Sequence, residues 1–365
     1  MPGNMGQPAS SPSGAGDKSH AALDWSVVVI ARNEETVIGA CLESVVQAFV
    51  GRSYELIFVD SASTDRTIQI AQRYPARIVR LKETDPLRPS VGRHVGLHLA
   101  RAEWVLFLDG DSILNATWID PAAEALESDP LLAAVAGDME HTLEAGQDQT
   151  SVQQHRYPDS DYDEARHLTG SALYRREALL RVGGYNPFLY AYEEAELGAR
   201  LRKGGYRLRR LRLPMTRHFP KYRSETVREL FRRMGRGFFF GMGQFVRHVY
   251  AFRLPVQQPL AAVQRHLQFF VLLLVGLVAT AVGFASGKWQ LLSGWTLAMA
   301  AVFVLFAVRA RSVRKPAYYF IEWTLGSLYV VRGMLTHPCP PEEFPNILGQ
   351  DTIKSKAECE QDSSN

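Results

Sequence analysis

Cysteine is scarce: Cys41, Cys339 and Cys359 are the only three in 365 residues, in neither paired nor metal-like spacing. An odd count outside any framework argues against a disulfide scaffold and fits reduced thiols in the cytoplasm. A large excess of one charge is also missing: 41 Lys and Arg against 38 Asp and Glu leave a formal +3, so composition points to no nucleic-acid partner. The first 22 residues lack any apolar run and are rich in Gly, Pro, Ser and Ala. Such a segment cannot bury enough surface to order itself, and the expectation for 1–22 is a disordered tail, neither signal peptide nor anchor.

What is present centres on Val105-Leu106-Phe107-Leu108-Asp109-Gly110-Asp111-Ser112, an apolar run that stops abruptly in two carboxylates. Four large apolar residues in a row are too few for a helix and suit a strand buried on both faces, as in a parallel sheet. The carboxylates then sit at the C-terminal end of that strand, the edge where open α/β sheets bind ligands. Asp-Gly alone is a common turn. Two acids one residue apart can also present oxygens to a hard divalent cation that holds a diphosphate.

The surrounding pattern favours the second reading. Trp25 to Ala31 (WSVVVIA) is another apolar, β-branched strand, followed by Arg32-Asn33-Glu34-Glu35 and by Val37, Ile38, Cys41, Leu42, Val45 and Val46 at helical spacing. Asn33 is placed to cap that helix. Glu55 to Val59 is the next strand and ends in Asp60, within Asp60-Ser61-Ala62-Ser63-Thr64-Asp65, where Asp65 precedes the periodic Thr67 to Gln72 as a helix cap does. Ala76 to Leu81 gives a short strand and Val91 to Ala102 a helix leading into the Asp109 strand. This alternation predicts a Rossmann-like, doubly wound, mostly parallel sheet with right-handed crossovers. The strands ending at Ala31, Asp60 and Asp109 would bring polar groups to one edge.

The segments VVVIARNEE, FVDSASTDRT, GRHVGLHLARAEWVLFLDGDS and YEEAELGARLRKGGY, in this order, resemble family 2 glycosyltransferases with the nucleotide-diphospho-sugar (GT-A type) fold, over about residues 24 to 220. The resemblance implies inverting transfer of a sugar from a nucleotide donor to an acceptor hydroxyl, with Mg²⁺ or Mn²⁺ as cofactor. It implies donor contacts from Ala31, Asn33, Glu34, Asp60 (on the base), Asp65 (shaping the loop beneath it), Arg93 and Asp109 (facing ribose and sugar). It assigns the metal to Asp111, with Asp109 and His218 beside it. Ala31 departs from the family, where Ser or Thr is usual. The acid cluster Glu193-Glu194-Ala195-Glu196 opens a helix; acids in a first turn also answer the helix dipole. The family pair is Glu-Asp with the second acid as general base, so the resemblance points to Glu194, with Glu193 the alternative, to take the acceptor proton. UDP is the default nucleotide by resemblance alone. A nucleotidyltransferase on the same fold would carry a Gly-rich loop after the first strand, and Arg32 to Glu35 has none.

Between Asn115 and His167, Trp118 to Glu127 predicts a helix and Leu132 to Ala136 a strand, while Glu140 to Tyr162 has no periodicity and reads as a functional loop over donor or acceptor. Thr169 to Tyr174 predicts a strand and Arg176 to Val182 a helix. The catalytic domain is thus expected over 23–222. Residues 223–264 are basic with an aromatic and glycine patch (Gly237 to Gly243) and suit an interfacial segment on anionic lipid. Gln244-Phe245-Val246-Arg247-His248 echoes the Gln-x-x-Arg-Trp motif of processive polysaccharide synthases, with His in place of Trp. Leu267 to Ser286 and Leu291 to Val308 are uncharged runs near bilayer length. Arg253 and Arg265 precede them, Arg309, Arg311, Arg314 and Lys315 follow, and only Lys288 lies between, so the positive-inside rule predicts a hairpin with both ends cytoplasmic. The expected place is the inner face of the cytoplasmic membrane, with multiple spans and the catalytic domain in the cytoplasm. Tyr318 to Met334 contains Glu322 and is expected to be interfacial rather than a third span within 265–336, and 337–365 to be a poorly ordered polar tail. The partners expected are a nucleotide sugar, a lipid-linked or surface-glycan acceptor and membrane lipid. The alternatives are a processive synthase and a non-catalytic sugar-nucleotide-binding subunit.

Overall fold

The computed structural model describes residues 23–141, 162–219, 226–345 and 352–353. The expected tail 1–22, residues 142–161 of the aperiodic stretch, and the C-terminal end beyond 345 except 352–353 lie outside them.

The chain begins β1 (Trp25–Ala31), α1 (Ile38–Ala48), β2 (Tyr54–Asp60), α2 (Thr67–Ala71), β3 (Arg77–Arg80), α3 (Pro89–Leu99) and β4 (Trp104–Asp109). It continues β5 (Ser112–Leu114), α4 (Ile119–Glu127), β6 (Leu132–His141), β7 (Tyr162–Glu164), β8 (Ala172–Arg175), α5 (Arg176–Arg181), α6 (Glu193–Lys203) and β9 (Arg207–His218). The helices α7 (Val227–Gly235), α8 (Phe238–Ala251), α9 (Gln264–Ser286), α10 (Gln290–Ala310) and α11 (Arg314–Met334) follow, then β10 (Thr352–Ile353).

The strands form one sheet in the order β10-β3-β2-β1-β4-β8-β6-β9-β5, with β7 beside β9. β3, β2, β1 and β4 run parallel, as the strand–helix alternation predicts, while β8 and β5 pair antiparallel to their neighbours. The apolar runs of β1 and β4 are buried almost throughout because helices cover both faces. The register sets Ala31 opposite Asp60 and Ile30 opposite Asp109, so these strand ends finish level with one another.

A second core joins the C-terminal helices to this domain. Phe239, Phe245, Val246 and Val249 of α8 are buried with Leu230 of α7, Ala199 of α6 and Val330 of α11. α8 and α11 meet backbone to backbone: a Cβ on Gly243 would lie 2.0 Å from the Val330 carbonyl, and one on Gly333 2.1 Å from the Phe240 carbonyl. The aromatic patch expected to face lipid is therefore turned partly inward, with Phe239 fully buried. Alternating aromatics and glycines permit this close crossing as readily as a lipid-facing surface. α7 keeps Val227 and Phe231 exposed.

Two helices among the described residues, α9 and α10, are long and apolar enough to cross a membrane, with mean hydropathies of 2.4 and 2.2. No residue of α10 is buried, and most of its exposed side chains are apolar. Glu322 of α11 is buried and faces Arg233 of α7 at 3.5 Å. Residues 337–345, expected to be poorly ordered, instead lie against the domain: Phe344 packs edge-on against His94 and Phe188, and the Cys339 carbonyl accepts a hydrogen bond from Asn186.

Candidate active site

The loop after β1 and the loop after β2 are laced together. Asn33, at φ 57°, accepts the Thr64 N–H on its amide oxygen at 2.8 Å, and its own N–H reaches the Ser63 hydroxyl at 2.9 Å. The Glu34 N–H donates to the Thr67 hydroxyl at 2.8 Å, and the Glu35 N–H to Asp65 at 3.2 Å. Asn33 consequently does not cap α1, whose cap position is Val37 without a side-chain bond. Its left-handed backbone and its amide are committed to the neighbouring loop. Asp65 does hold the Thr67 N–H at 3.0 Å, as a cap would, from one residue before the cap position.

Asp60 stands fully buried at the floor of this double loop. One carboxylate oxygen accepts the Ser63 N–H at 2.9 Å and lies 3.7 Å from the Arg80 guanidinium, while Oδ1 has no hydrogen-bond partner. Burial raises its pKa above the usual range, against the opposing pull of Ser63 and Arg80. An orphaned buried acceptor costs stability unless a ligand satisfies it.

Asp111 and His218 come from strands that pair directly: Ser112 of β5 lies opposite His218 of β9. His218 Nε2 is 3.0 Å from Asp111 Oδ2, a bond that raises the imidazole pKa despite burial. Asp111 Oδ1 is buried without a partner, which suits a carboxylate reserved for a cation. Among the described residues no cluster of three metal-ligating side chains is preassembled. Asp109, expected beside the metal, turns instead to Arg93, its Oδ1 2.7 Å from the guanidinium.

Arg93, from α3, is buried and reaches Asp109 as well as Glu193 at 3.1 Å and Glu194 at 3.3 Å. Gly170 lies against this pair, where a Cβ would be 2.1 Å from Arg93 Nη2 and 2.8 Å from Asp109 Oδ2. Burial, with Glu193 beside it, raises the pKa of Glu194 to about 8, against the pull of Arg93. Glu196, three residues into the same acid cluster, behaves oppositely. Burial works to raise its pKa, but Arg200, which it grips through both oxygens, and His248 hold it below the usual value.

Two features escape sequence reasoning. The first is Arg93 as the junction between the β4 acid and the α6 acids, whose partners lie 16, 100 and 101 residues away. The second is Gln244, flagged only as part of an imperfect motif. Its amide accepts the Tyr190 N–H and donates to the Phe188 carbonyl, each at 3.2 Å, pinning the loop that delivers Glu193 and Glu194. Ala31 ends β1 opposite Asp60, where its methyl crowds Gly110: a Cβ there would lie 2.7 Å away.

Residues 26–183 match the model of glycosyl transferase family 2. The chain is 34% identical over 122 residues to poly(ribitol-phosphate) beta-N-acetylglucosaminyltransferase TarS of Staphylococcus aureus, covering 32% of this chain and 21% of that one. It is 33% identical over 99 residues to a PGL/p-HBAD biosynthesis glycosyltransferase of Mycobacterium tuberculosis, covering 26% of this chain and 38% of that one. The matches thus span about a fifth and under two fifths of these relatives' lengths. The crystal structure of S. aureus TarS 1–349 in complex with UDP-GlcNAc superposes with a TM-score of 0.50 at 17% identity, covering 85% of this chain and 90% of that one, a likeness of fold.

Proposed function

We propose, from the premise that residues 26–183 form a family 2 glycosyltransferase domain, that this chain is an inverting glycosyltransferase taking a nucleoside-diphosphate sugar to an acceptor hydroxyl. The observation that carries the reading is the meeting, at one sheet edge, of an unsatisfied buried carboxylate (Asp60), the Asp111–His218 pair, and the Arg93–Glu193–Glu194 junction.

Each group fits a step. The free oxygen of Asp60 accepts only, so it favours a base that offers a ring N–H, as uracil does, and disfavours one that offers a ring acceptor. UDP is also the nucleotide part of the sugar nucleotide bound to the structural neighbour. Asp111 and His218 would hold Mg²⁺ or Mn²⁺, which would neutralise the charge that grows on the departing diphosphate. Glu194 accepts the acceptor hydroxyl proton as its oxygen attacks the anomeric carbon from the face opposite the diphosphate. The carbon–oxygen bond to the donor breaks with its electron pair leaving on the nucleoside diphosphate, and the anomeric centre inverts. Arg93 holds Glu193, Glu194 and Asp109 in one frame, and Gly170 leaves room for it.

The acceptor is membrane-associated, lipid-linked or part of a surface glycan, and the chain sits at the cytoplasmic membrane face through the α9–α10 hairpin. Support comes from the exposed apolar length of both helices and from basic residues gathered at their outer ends. Gln244 is consumed by backbone groups of Phe188 and Tyr190, which weighs against its use on a growing polymer and so against a processive synthase.

Replacing Glu194 with Gln tests catalysis directly. Donor binding should persist while transfer falls by a factor on the order of 10² to 10⁴, the usual share of a general base. Unchanged transfer in Glu194→Gln and Glu193→Gln alike would remove both acids from the reaction.

A further inference from the structure

We propose that the groove between α9, α10 and α11 binds an anionic phospholipid, its chain between the helices and its headgroup beside Arg265 and Arg309. The proposal rests on the reading that α9 and α10 enter a bilayer and is independent of the donor site.

The groove encloses about 1330 Å³ and lies at the end of the hairpin where α9 begins and α10 ends. Its walls are apolar and aromatic. Phe269 meets Phe320 and Trp323 at 5.0 Å between ring centres, and Phe306 meets Trp323 at 5.9 Å. These contacts bridge all three helices, so the groove is an open cleft built where they meet and not the flank of a single span. The charged groups that line it are of one sign: Arg265 and Arg309 are exposed, the neutral Gln264 and Gln268 stand beside them, and no acid lines the cavity.

Charge and solvent together identify the occupant. The remaining faces of α9 and α10 present Val275, Leu277, Val304 and Val308 outward, so whatever enters this cleft arrives from hydrocarbon. Two guanidiniums at the headgroup level, unopposed in the lining, call for an anion at that level. A planar guanidinium matches phosphate oxygens with paired donors, which selects a phosphate head on an apolar chain. A neutral or zwitterionic lipid would leave that charge uncompensated.

The test uses the full chain in phosphatidylcholine nanodiscs, with brominated-chain phosphatidylglycerol or brominated-chain phosphatidylcholine as quencher of tryptophan fluorescence. Phosphatidylglycerol should quench a saturable component at several-fold lower mole fraction than phosphatidylcholine, and Trp323→Phe should abolish that component. The double variant Arg265→Gln/Arg309→Gln, at exposed positions that leave the helix packing intact, should shift the phosphatidylglycerol curve by a factor on the order of 10 toward that of phosphatidylcholine. Lys288→Gln, between the two helices at the far end of the hairpin, should leave it unchanged. Equal quenching by both lipids, or a preference that survives the double variant, would overturn the proposal. So would a dimer by light scattering that Leu305→Arg disperses, since a second copy would then fill the cleft. Release of the chain from membranes by alkaline carbonate would instead remove the bilayer premise.

Discussion

At the scale of single residues, the proposed chemistry centres on Arg93 and the carboxylates it meets. A buried guanidinium facing Asp109, Glu193 and Glu194 leaves this acid cluster without its counter-ion when it is removed. Arg93→Leu should therefore destabilise the fold by about 3–5 kcal/mol, read as a fall in denaturation midpoint. Glu194 sets a pH dependence whose sign follows from its raised pKa. The folded chain keeps the proton up to about 8 while the unfolded chain releases it near 4.5, so its contribution to stability is lost as pH rises between those values. Glu194→Gln should thus raise Tm relative to the native chain at pH 8.5 and leave it nearly unchanged at pH 4. In the native enzyme kcat/KM should climb with pH along a limb near 8 that this variant lacks. Asp60→Ala should weaken UDP binding by about tenfold or more in a titration, because one buried acceptor is removed from the base. Asp60 and Asp109 are legible in the sequence because each ends an apolar strand, and Asp111 because it follows Asp109 in the turn that leaves that strand, a local pattern. The role of Asn33 is not, since its partner Thr64 is brought to it only by the pairing of β1 with β2.

Among elements, α8 links the loop that precedes Glu193 to the C-terminal helices. Gln244 holds the Phe188–Tyr190 loop on one side, and Gly243 lets α11 approach on the other. Gln244→Leu leaves the Tyr190 N–H and the Phe188 carbonyl without this partner, and should cost about 1–3 kcal/mol of stability together with kcat, both measured on the purified chain. Gly243→Val should separate α8 from α11 and lower Tm further than Gly294→Val, whose site on α10 is open. The sequence marked α8 as basic and aromatic. It could not say which way the rings face, because glycine-spaced aromatics fit a helix crossing and a lipid surface equally. β1 and β4 posed no such ambiguity, since an unbroken β-branched run is tolerated only between two covered faces.

At the level of the whole molecule, a sheet edge that gathers the proposed donor-site groups sits on helices whose outer surfaces are apolar. The antiparallel strands β8 and β5 were not foreseen as such, because strand direction depends on where the chain returns and not on the strand's own residues. If the hairpin is inserted as proposed, a cysteine introduced at Lys288 should react with an impermeant thiol reagent from outside intact cells, and one at Arg314 only after permeabilisation. Reaction at both sites in intact cells would place the catalytic domain on the wrong face.

The most direct test of the donor site is calorimetric titration of the detergent-solubilised chain with UDP and other nucleoside diphosphates, with and without Mn²⁺, for the native protein and Asp111→Asn. The account predicts metal-dependent binding of UDP in the native chain, weakened about tenfold or more in the variant. No binding of any nucleoside diphosphate in the presence of metal, or binding indifferent to both Mn²⁺ and Asp111, would contradict it.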